Sequence, residues 1–465
     1  MGRITAIALA GMLGEIDQRQ PAYRWLFSTL RSLIANGRIL HGTALPSERD
    51  VVAALNLSRT TVSRAYAELR EAGYAVSRQG SGTIAQIPGG PVAGGAEPLP
   101  LGGFGPVPGS TVIDLTCAAP SAPAGMMDQY AQAVAELPAY AATMGYYPLG
   151  IEPLRQALAD YYTARGLPTG ADQIIVTTGA LPGVAAAGRA VLGRGQVVLA
   201  ETPTYPNSLL ALKAHGARAV GVPIGAEGSD IAQISQMLHT TGAKAMLCLP
   251  DFHNPVGTLL DEAGRKAWAQ QLDRAGAVGI VDETCVDLWL DERPQVLPMA
   301  AYSKNLVTVG SASKSHWGGL RLGWIRTPRH LAGAMARARM SMDLGVPVLE
   351  QLVLKNLLNS GAALSDETRA ALRGNRDWMR GQLAQHLPDW EPNHPAGGLS
   401  LWCHLPTGRS TALAQHLKSV ILAPGSTFAV DGHGLEHYVR LPFAQSRAEL
   451  EAALPAIIQA WKQVA

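Results

Sequence analysis

The chain has 465 residues, 47% hydrophobic and 16% charged, which excludes a disordered polymer and allows two or three globular domains. The net charge of +2 hides an asymmetry: residues 1–85 carry ten Arg, no Lys and six acids, whereas the remainder carries 28 basic residues against 30 acids. The positive excess therefore lies in the N-terminal fifth, where a phosphate-binding module would place it, although an excess of four does not by itself establish DNA binding.

The apolar stretch Ile4 to Leu13 follows one Arg and runs into GEIDQRQ. It is short for a signal sequence and lacks a convincing small-residue cleavage site, so an amphipathic or core helix is expected. No later segment is long and apolar enough to span a bilayer, and no membrane partner is expected. The four cysteines, Cys117, Cys248, Cys285 and Cys403, form no CxxC. That spacing argues against a disulfide framework or a zinc site and points to a reducing, cytoplasmic compartment.

Ser47, with Asp50 three residues on, predicts a capped helix to about Leu55. Ser58 caps a second helix, whose apolar positions Val62, Ala65, Tyr66 and Leu69 recur at helical spacing before Gly73. Arg59, Thr60, Thr61, Ser63 and Arg64 then fall on its outward N-terminal part, the groove-facing positions of a helix-turn-helix. Next, YAVSRQGSGTIA reads as two short strands around a Gly-Ser-Gly turn, with Arg78 and Gln79 beside the tip. In isolation RTT reads more readily as a solvated helix face than as a DNA-reading one. The complete string LPSERDVVAALNLSRTTVSRAYAELREAGYAVSRQGSGT, however, resembles the winged helix-turn-helix of the GntR regulators. That resemblance implies that Arg49, Arg59, Thr60 and Thr61 contact DNA, with Arg64 adjacent, and that Gly80 to Thr83, Gly82 included, form the wing. Position 63, often basic in such proteins, is Ser.

Residues 85–112 hold six Pro and eight Gly, a density that neither helix nor strand tolerates, and mark a linker between domains 1–84 and 113–465. As a Gly-rich coil it would span roughly 30 Å. Beyond it, QIIVTT, QVVLA, KAMLCL, AVGIVD, NLVTVG and RLGWIR alternate with helical patterns. Such runs, apolar on both faces, predict a mainly parallel α/β sheet covered by helices. After about Ala334 the pattern shifts to helix, then to LSLWCHL and HYVRLPF, a smaller α+β lobe.

Lys314, one of only eight lysines, follows NLVTVG in a small-residue loop. Ser311 and Ser313 offer hydroxyls, and Arg321 offers a fork for a phosphate. Asp282 ends AVGIVD at the carboxyl edge of the sheet, where open α/β folds bind ligands. There it could hold a pyridine nitrogen, or cap a helix or pair with a cation. HNPVG places Asn254 after another strand, and ETPTYPN places Tyr205 likewise; either residue alone is more often a turn former than a ligand. TTGALPG sets the N–H groups of Gly179 and Ala180 at a helix start, suited to an anion. Tyr146 lies in an extended loop and Arg440 in the last strand region, where it could grip a carboxylate.

In this order and spacing, residues 113–465 resemble fold-type-I aminotransferases. The resemblance implies pyridoxal 5′-phosphate held covalently on Lys314, with Asp282 at its pyridine nitrogen, Asn254 at its phenolic oxygen and Tyr205 stacked on its ring. It also implies Gly179, Ala180, Ser311 and Arg321 around the phosphate, Tyr146 reaching it from the partner of a homodimer, and Arg440 on an α-carboxylate. Joined to the N-terminal match, the chain resembles the MocR regulators, and RTTVSRAY and DFHNPVG are similar to their YczR branch. That family implies a regulator that binds double-stranded operator DNA and senses the cofactor or a small amino-compound effector. The alternative is an active aminotransferase acting on an amino acid. Two departures favour sensing over turnover: Thr284 and Cys285 stand where such sites carry a tyrosine, and Leu181 and Pro182 where the phosphate cup carries a Gln pair.

Overall fold

The fold is that of a computed structural model describing residues 3–14, 16–35, 39, 42–78, 82–86, 88, 112–123, 125–225, 228–361 and 364–465. The expected wing-tip residues Gln79, Gly80 and Ser81, and the expected linker apart from Ala85, Gln86, Pro88 and Val112, lie outside them. The chain divides into two compact units, residues 1–95 with 122–131, and 96–121 with 132–465.

In the N-terminal unit, helices run over Ala6–Leu13, Ala22–Ala35, Glu48–Leu55 and Arg59–Glu71. The first buries Leu9 and Leu13, so the opening apolar run serves as core. Ser47 Oγ accepts from Asp50 N at 3.2 Å and Ser58 Oγ from Thr61 N at 3.1 Å, which supplies acceptors for amides that no preceding turn can satisfy. Asn56 closes the third helix in the left-handed region at φ 52°. Val62, Ala65, Tyr66 and Leu69 are all fully buried, as their spacing predicts. They meet Trp25, Leu26, Leu30 and Ile34 of the second helix. Tyr66 Oη donates to Pro46 O at 3.0 Å, fastening helix Arg59–Glu71 to the turn before the third helix. Strands Ala75–Arg78 and Gly82–Ala85 pair antiparallel, with Arg78 opposite Gly82.

In the larger unit, eight strands order as Ile174–Thr177, Gly323–Arg326, Leu306–Ser311, Val278–Asp282, Ala245–Cys248, Val197–Thr202, Arg218–Gly225 and Gly228–Ser229. The strands from Leu306–Ser311 through Arg218–Gly225 are mutually parallel. Gly323–Arg326 runs antiparallel to both its neighbours. The six runs read from sequence all become strands. Arg218–Gly225 carries no comparable signal, because this strand near the sheet edge buries only Val222 and contains Gly and Pro. Helices cover the sheet over an aliphatic core that includes Val184, Ala187, Leu247, Ile280, Val307 and Ile325. A four-stranded antiparallel sheet contains Ser400–His404 and Tyr438–Pro442. Helices Asp366–His386 and Arg447–Val464 contribute Leu372, Met379, Leu454 and Trp461 to its core. Among the described residues no helix is long and apolar enough to cross a membrane.

Candidate cofactor site and nucleic-acid interface

The parallel strands end on one side, and the turns that follow them bring distant residues to a single cavity of about 390 Å³, a volume typical of small-molecule pockets. Gly179, Ala180, Tyr205, Asn254, Asp282, Ser311, Lys314, Arg321 and Arg440 all line it. Tyr146 does not; it stands 67% exposed.

The cup at Gly179 is a consequence of backbone geometry. Gly179 has φ +109°, a region closed to residues with a Cβ, and precedes helix Ala180–Val191. A Cβ on Gly179 would lie 3.3 Å from the Arg321 guanidinium. One on Gly323 would fall 2.4 Å from Gly179 C and 2.7 Å from Ala180 N. Arg321 itself adopts φ 50°, an unusual conformation for a non-glycine residue that sets its fork beside the helix N-terminus. Helix-start amides and a guanidinium thus converge where an anion is favoured. Ser311 Oγ accepts from Ser313 N at 3.1 Å.

Lys314 lies in a π-helical turn, Ser313–Trp317. Burial holds its amine below the usual lysine range, Cys117 and Cys285 push the other way, and Arg440 adds to the lowering. A larger share is therefore neutral and nucleophilic near pH 7. Its Nζ donates to Ala118 O. Burial raises the Asp282 carboxyl, while hydrogen bonds from Thr284 oppose that, including Thr284 N at 2.9 Å. Arg440 is buried over the Phe428 ring, 4.8 Å from its centroid, with its pKa brought down to about 10 by burial. It donates from Nη1 to Asn254 Oδ1 at 3.2 Å. That bond occupies the amide oxygen of Asn254 and leaves its Nδ2 as the donor for a ligand. Tyr205 precedes helix Pro206–Ala214, and its Oη accepts from Asn207 Nδ2 at 2.9 Å.

Pyridoxal phosphate needs an amine, a carboxylate for the ring nitrogen, a donor for the phenolic oxygen, a plate for the ring and an anion cup. The donor set around this cavity fits each requirement, and the steric limit at Gly179 and Gly323 fits the cup. Thr284 and Cys285 also line the cavity. Burial pushes the Cys285 thiol up to about 12, so it stays protonated.

Some residues of the site carry no clear sequence signal. Asp251 lines the cavity with one oxygen paired to Arg265 at 2.6 Å and the other buried without a hydrogen-bond partner. It sits in the string DFHNPVG, but its partner Arg265 arrives from a helix fourteen residues on. Thr116, Cys117 and Ala118 form a strap along the cavity, and nothing in their spacing announces it.

In the N-terminal unit, Arg49, Arg59, Thr60 and Arg64 are exposed, Thr61 is partly covered and Gly82 is exposed on the wing. The Thr60 and Thr61 hydroxyls lie 3.1 and 2.8 Å from Ser58 Oγ. Arg64 differs from Arg59: its guanidinium lies 3.6 Å from the Tyr23 ring centroid and its Nε donates to Glu68 at 3.1 Å. Ser63, in the position often basic, donates to Glu48.

Residues 111–457 match the family described as aminotransferase class I and II, and residues 22–84 match the gntR family of bacterial regulatory proteins. Over 466 residues the chain is 27% identical to the uncharacterized HTH-type transcriptional regulator YisV of Bacillus subtilis, covering 94% of this chain and 95% of that protein. It is 28% identical over 317 residues to a 2-aminoadipate transaminase of Thermus thermophilus, covering 66% of this chain and 76% of that one. Among solved structures, it is similar to LysN, an α-aminoadipate aminotransferase of Thermus thermophilus complexed with N-(5′-phosphopyridoxyl)-L-leucine. That likeness has a TM-score of 0.67 at 25% identity and covers 76% of this chain and 93% of that one. The chain belongs to the class I and II aminotransferase family and carries a gntR-family helix-turn-helix ahead of it, the organisation of the MocR regulators.

Proposed function

We propose that the protein is a DNA-binding transcription regulator whose aminotransferase-type domain holds pyridoxal phosphate on Lys314 and senses it, or an amino compound that reacts with it. The observation that carries this is one chain holding both an exposed Arg59–Thr60 helix start and a buried lysine amine facing an anion cup. When bound, the cofactor supplies an electrophilic carbonyl and an electron-withdrawing ring. Lys314 would hold it covalently, Asp282 would face its ring nitrogen and Asn254 its phenolic oxygen, and Tyr205 would cover its ring. Gly179, Ala180, Ser311 and Arg321 would hold its phosphate, and Arg440 an effector carboxylate. Tyr146, exposed on its own chain, would complete the site of the second subunit of a homodimer. Arg49, Arg59, Thr60, Thr61 and Arg64, with Gly82 in the wing, would meet operator DNA. Residues 1–84 and 113–465 would act as the two domains, joined by 85–112, in the cytoplasm.

A working aminotransferase is the alternative, supported by the full donor set of the cavity. Thr284 and Cys285 weigh against fast turnover, because neither supplies a phenol to tune the basicity of the cofactor-bearing nitrogen. Borohydride reduction of the protein loaded with pyridoxal phosphate, followed by peptide mapping, should place the label on Lys314, and Lys314→Ala should abolish it. A label elsewhere, or none, removes the sensing half of the proposal. An absorption titration with amino acids then distinguishes reversible capture from conversion to the amine form of the cofactor.

A further inference from the structure

Three successive carbonyls of the strap Thr116–Ala118 are each held by a side chain from elsewhere in the same domain. Arg440 donates to Thr116 O, Gln445 Nε2 to Cys117 O at 2.6 Å, and Lys314 Nζ to Ala118 O. Upstream, Ile113–Asp114 pairs in parallel with Val420–Ile421, and Leu115 N extends that ladder to Ile421 O at 2.9 Å. The next turn is locked by Asp114 Oδ1, which accepts from Thr116 N at 2.7 Å. In sequence the strap is separated only by the paired residues 113–115 from residues 85–112, the segment leading to the helix-turn-helix. Two of its three clips are therefore side chains that ligands would claim. Gln445 is not part of the cavity wall and makes only the third.

We propose that the Thr116–Ala118 strap is a latch that competes with the cofactor for Lys314, with Gln445 as the positioning residue that sets its strength. The proposal rests on Lys314 being the cofactor lysine. A free lysine nitrogen has two N–H donors when neutral and three when charged, whereas one joined covalently to a carbonyl carbon keeps at most one. Loading Lys314 thus weakens its bond to Ala118. A carboxylate on Arg440 draws on the guanidinium that holds Thr116. Each event favours release of chain next to the interdomain segment, and by linkage anything that loosens the latch must tighten cofactor binding.

The test uses the full chain, with pyridoxal phosphate as the probe. In Gln445→Ala, cofactor affinity measured by absorption titration should rise by about two- to tenfold, the worth of one net hydrogen bond. A merely structural role for Gln445 would leave affinity unchanged or weaken it, and either result overturns the latch. Should the variant fail to fold, hydrogen exchange in the wild type decides. Loading with pyridoxal phosphate should speed exchange across residues 112–121, and slowed or unchanged exchange overturns the proposal. Wild-type protein that takes up no cofactor sinks the cofactor assignment and the latch together. Wild-type protein that binds it, alongside a variant of equal affinity, sinks the latch alone.

Discussion

Glu201 and His253 lie within four residues of Tyr205 and Asn254 respectively, and both are buried, with Glu201 Oε2 3.6 Å from His253 Nε2. Glu201, in strand Val197–Thr202, also accepts from Ser229 Oγ at 2.6 Å and Leu249 N at 2.9 Å, so it ties that strand to strand Gly228–Ser229 and to the end of Ala245–Cys248. Burial raises its pKa from 4.5 to about 7 and lowers that of His253 from 6.5 to about 3. The two signs are opposite in their effect on folding. Folded Glu201 keeps a proton that the unfolded chain loses, so its stabilisation is complete below pH 4.5 and is lost as pH rises through about 7. His253 stays neutral while the unfolded chain protonates, so its stabilisation is present above pH 6.5 and is lost as pH falls towards 3. Between 4.5 and 6.5 the slopes oppose each other. Glu201→Gln removes one of them and should gain on the wild type by up to about 3 kcal/mol between pH 4.5 and 7. Urea unfolding at both ends of that window checks this, and parallel stability profiles for the two proteins would refute it.

At the scale of elements, helix Arg59–Glu71 offers two arginines with different surroundings. Arg59 is exposed, and no local partner constrains its fork among the described contacts. Its replacement by Ala should cost about 1–3 kcal/mol of specific DNA affinity if it reads a base edge. Arg64 is stacked on Tyr23 and paired with Glu68. Arg64→Ala should therefore lower the stability of the N-terminal unit by about 1 kcal/mol and weaken DNA binding less than Arg59→Ala does. Paired melting curves and operator titrations separate these effects, and equal DNA losses without destabilisation would contradict the assignment. The helix itself is legible in sequence because four apolar positions, a cap and Gly73 agree with one another, and the six core strands because both of their faces are buried. Arg218–Gly225 was not legible, since a half-exposed strand containing Gly and Pro has no such pattern. The cavity residues were readable only because chemistry-bearing residues follow strand ends. The strap and the Asp251–Arg265 pair were not readable, because each is defined by a partner that only the tertiary fold supplies.

For the molecule as a whole, sensing has a thermodynamic consequence independent of how the two units are arranged. If ligand at Lys314 changes operator affinity by some factor, operator must change ligand affinity by the same factor, because both describe one cycle. Coupling of this kind is commonly about 5- to 150-fold. Pyridoxal phosphate titrated with and without saturating operator DNA, and operator titrated with and without the cofactor, should give matching ratios. The salt dependence gives a second axis. The N-terminal fifth carries an excess of four positive charges, so operator affinity should fall steeply with salt through counterion release. Cofactor affinity in the absence of DNA should respond far less, since Arg321 and the Gly179 amides act within a protein cup. The coupling ratio should survive at any salt concentration that still permits specific binding. Two affinities indifferent to each other at every salt concentration would mean that the helix-turn-helix and the cavity share a chain but not a function.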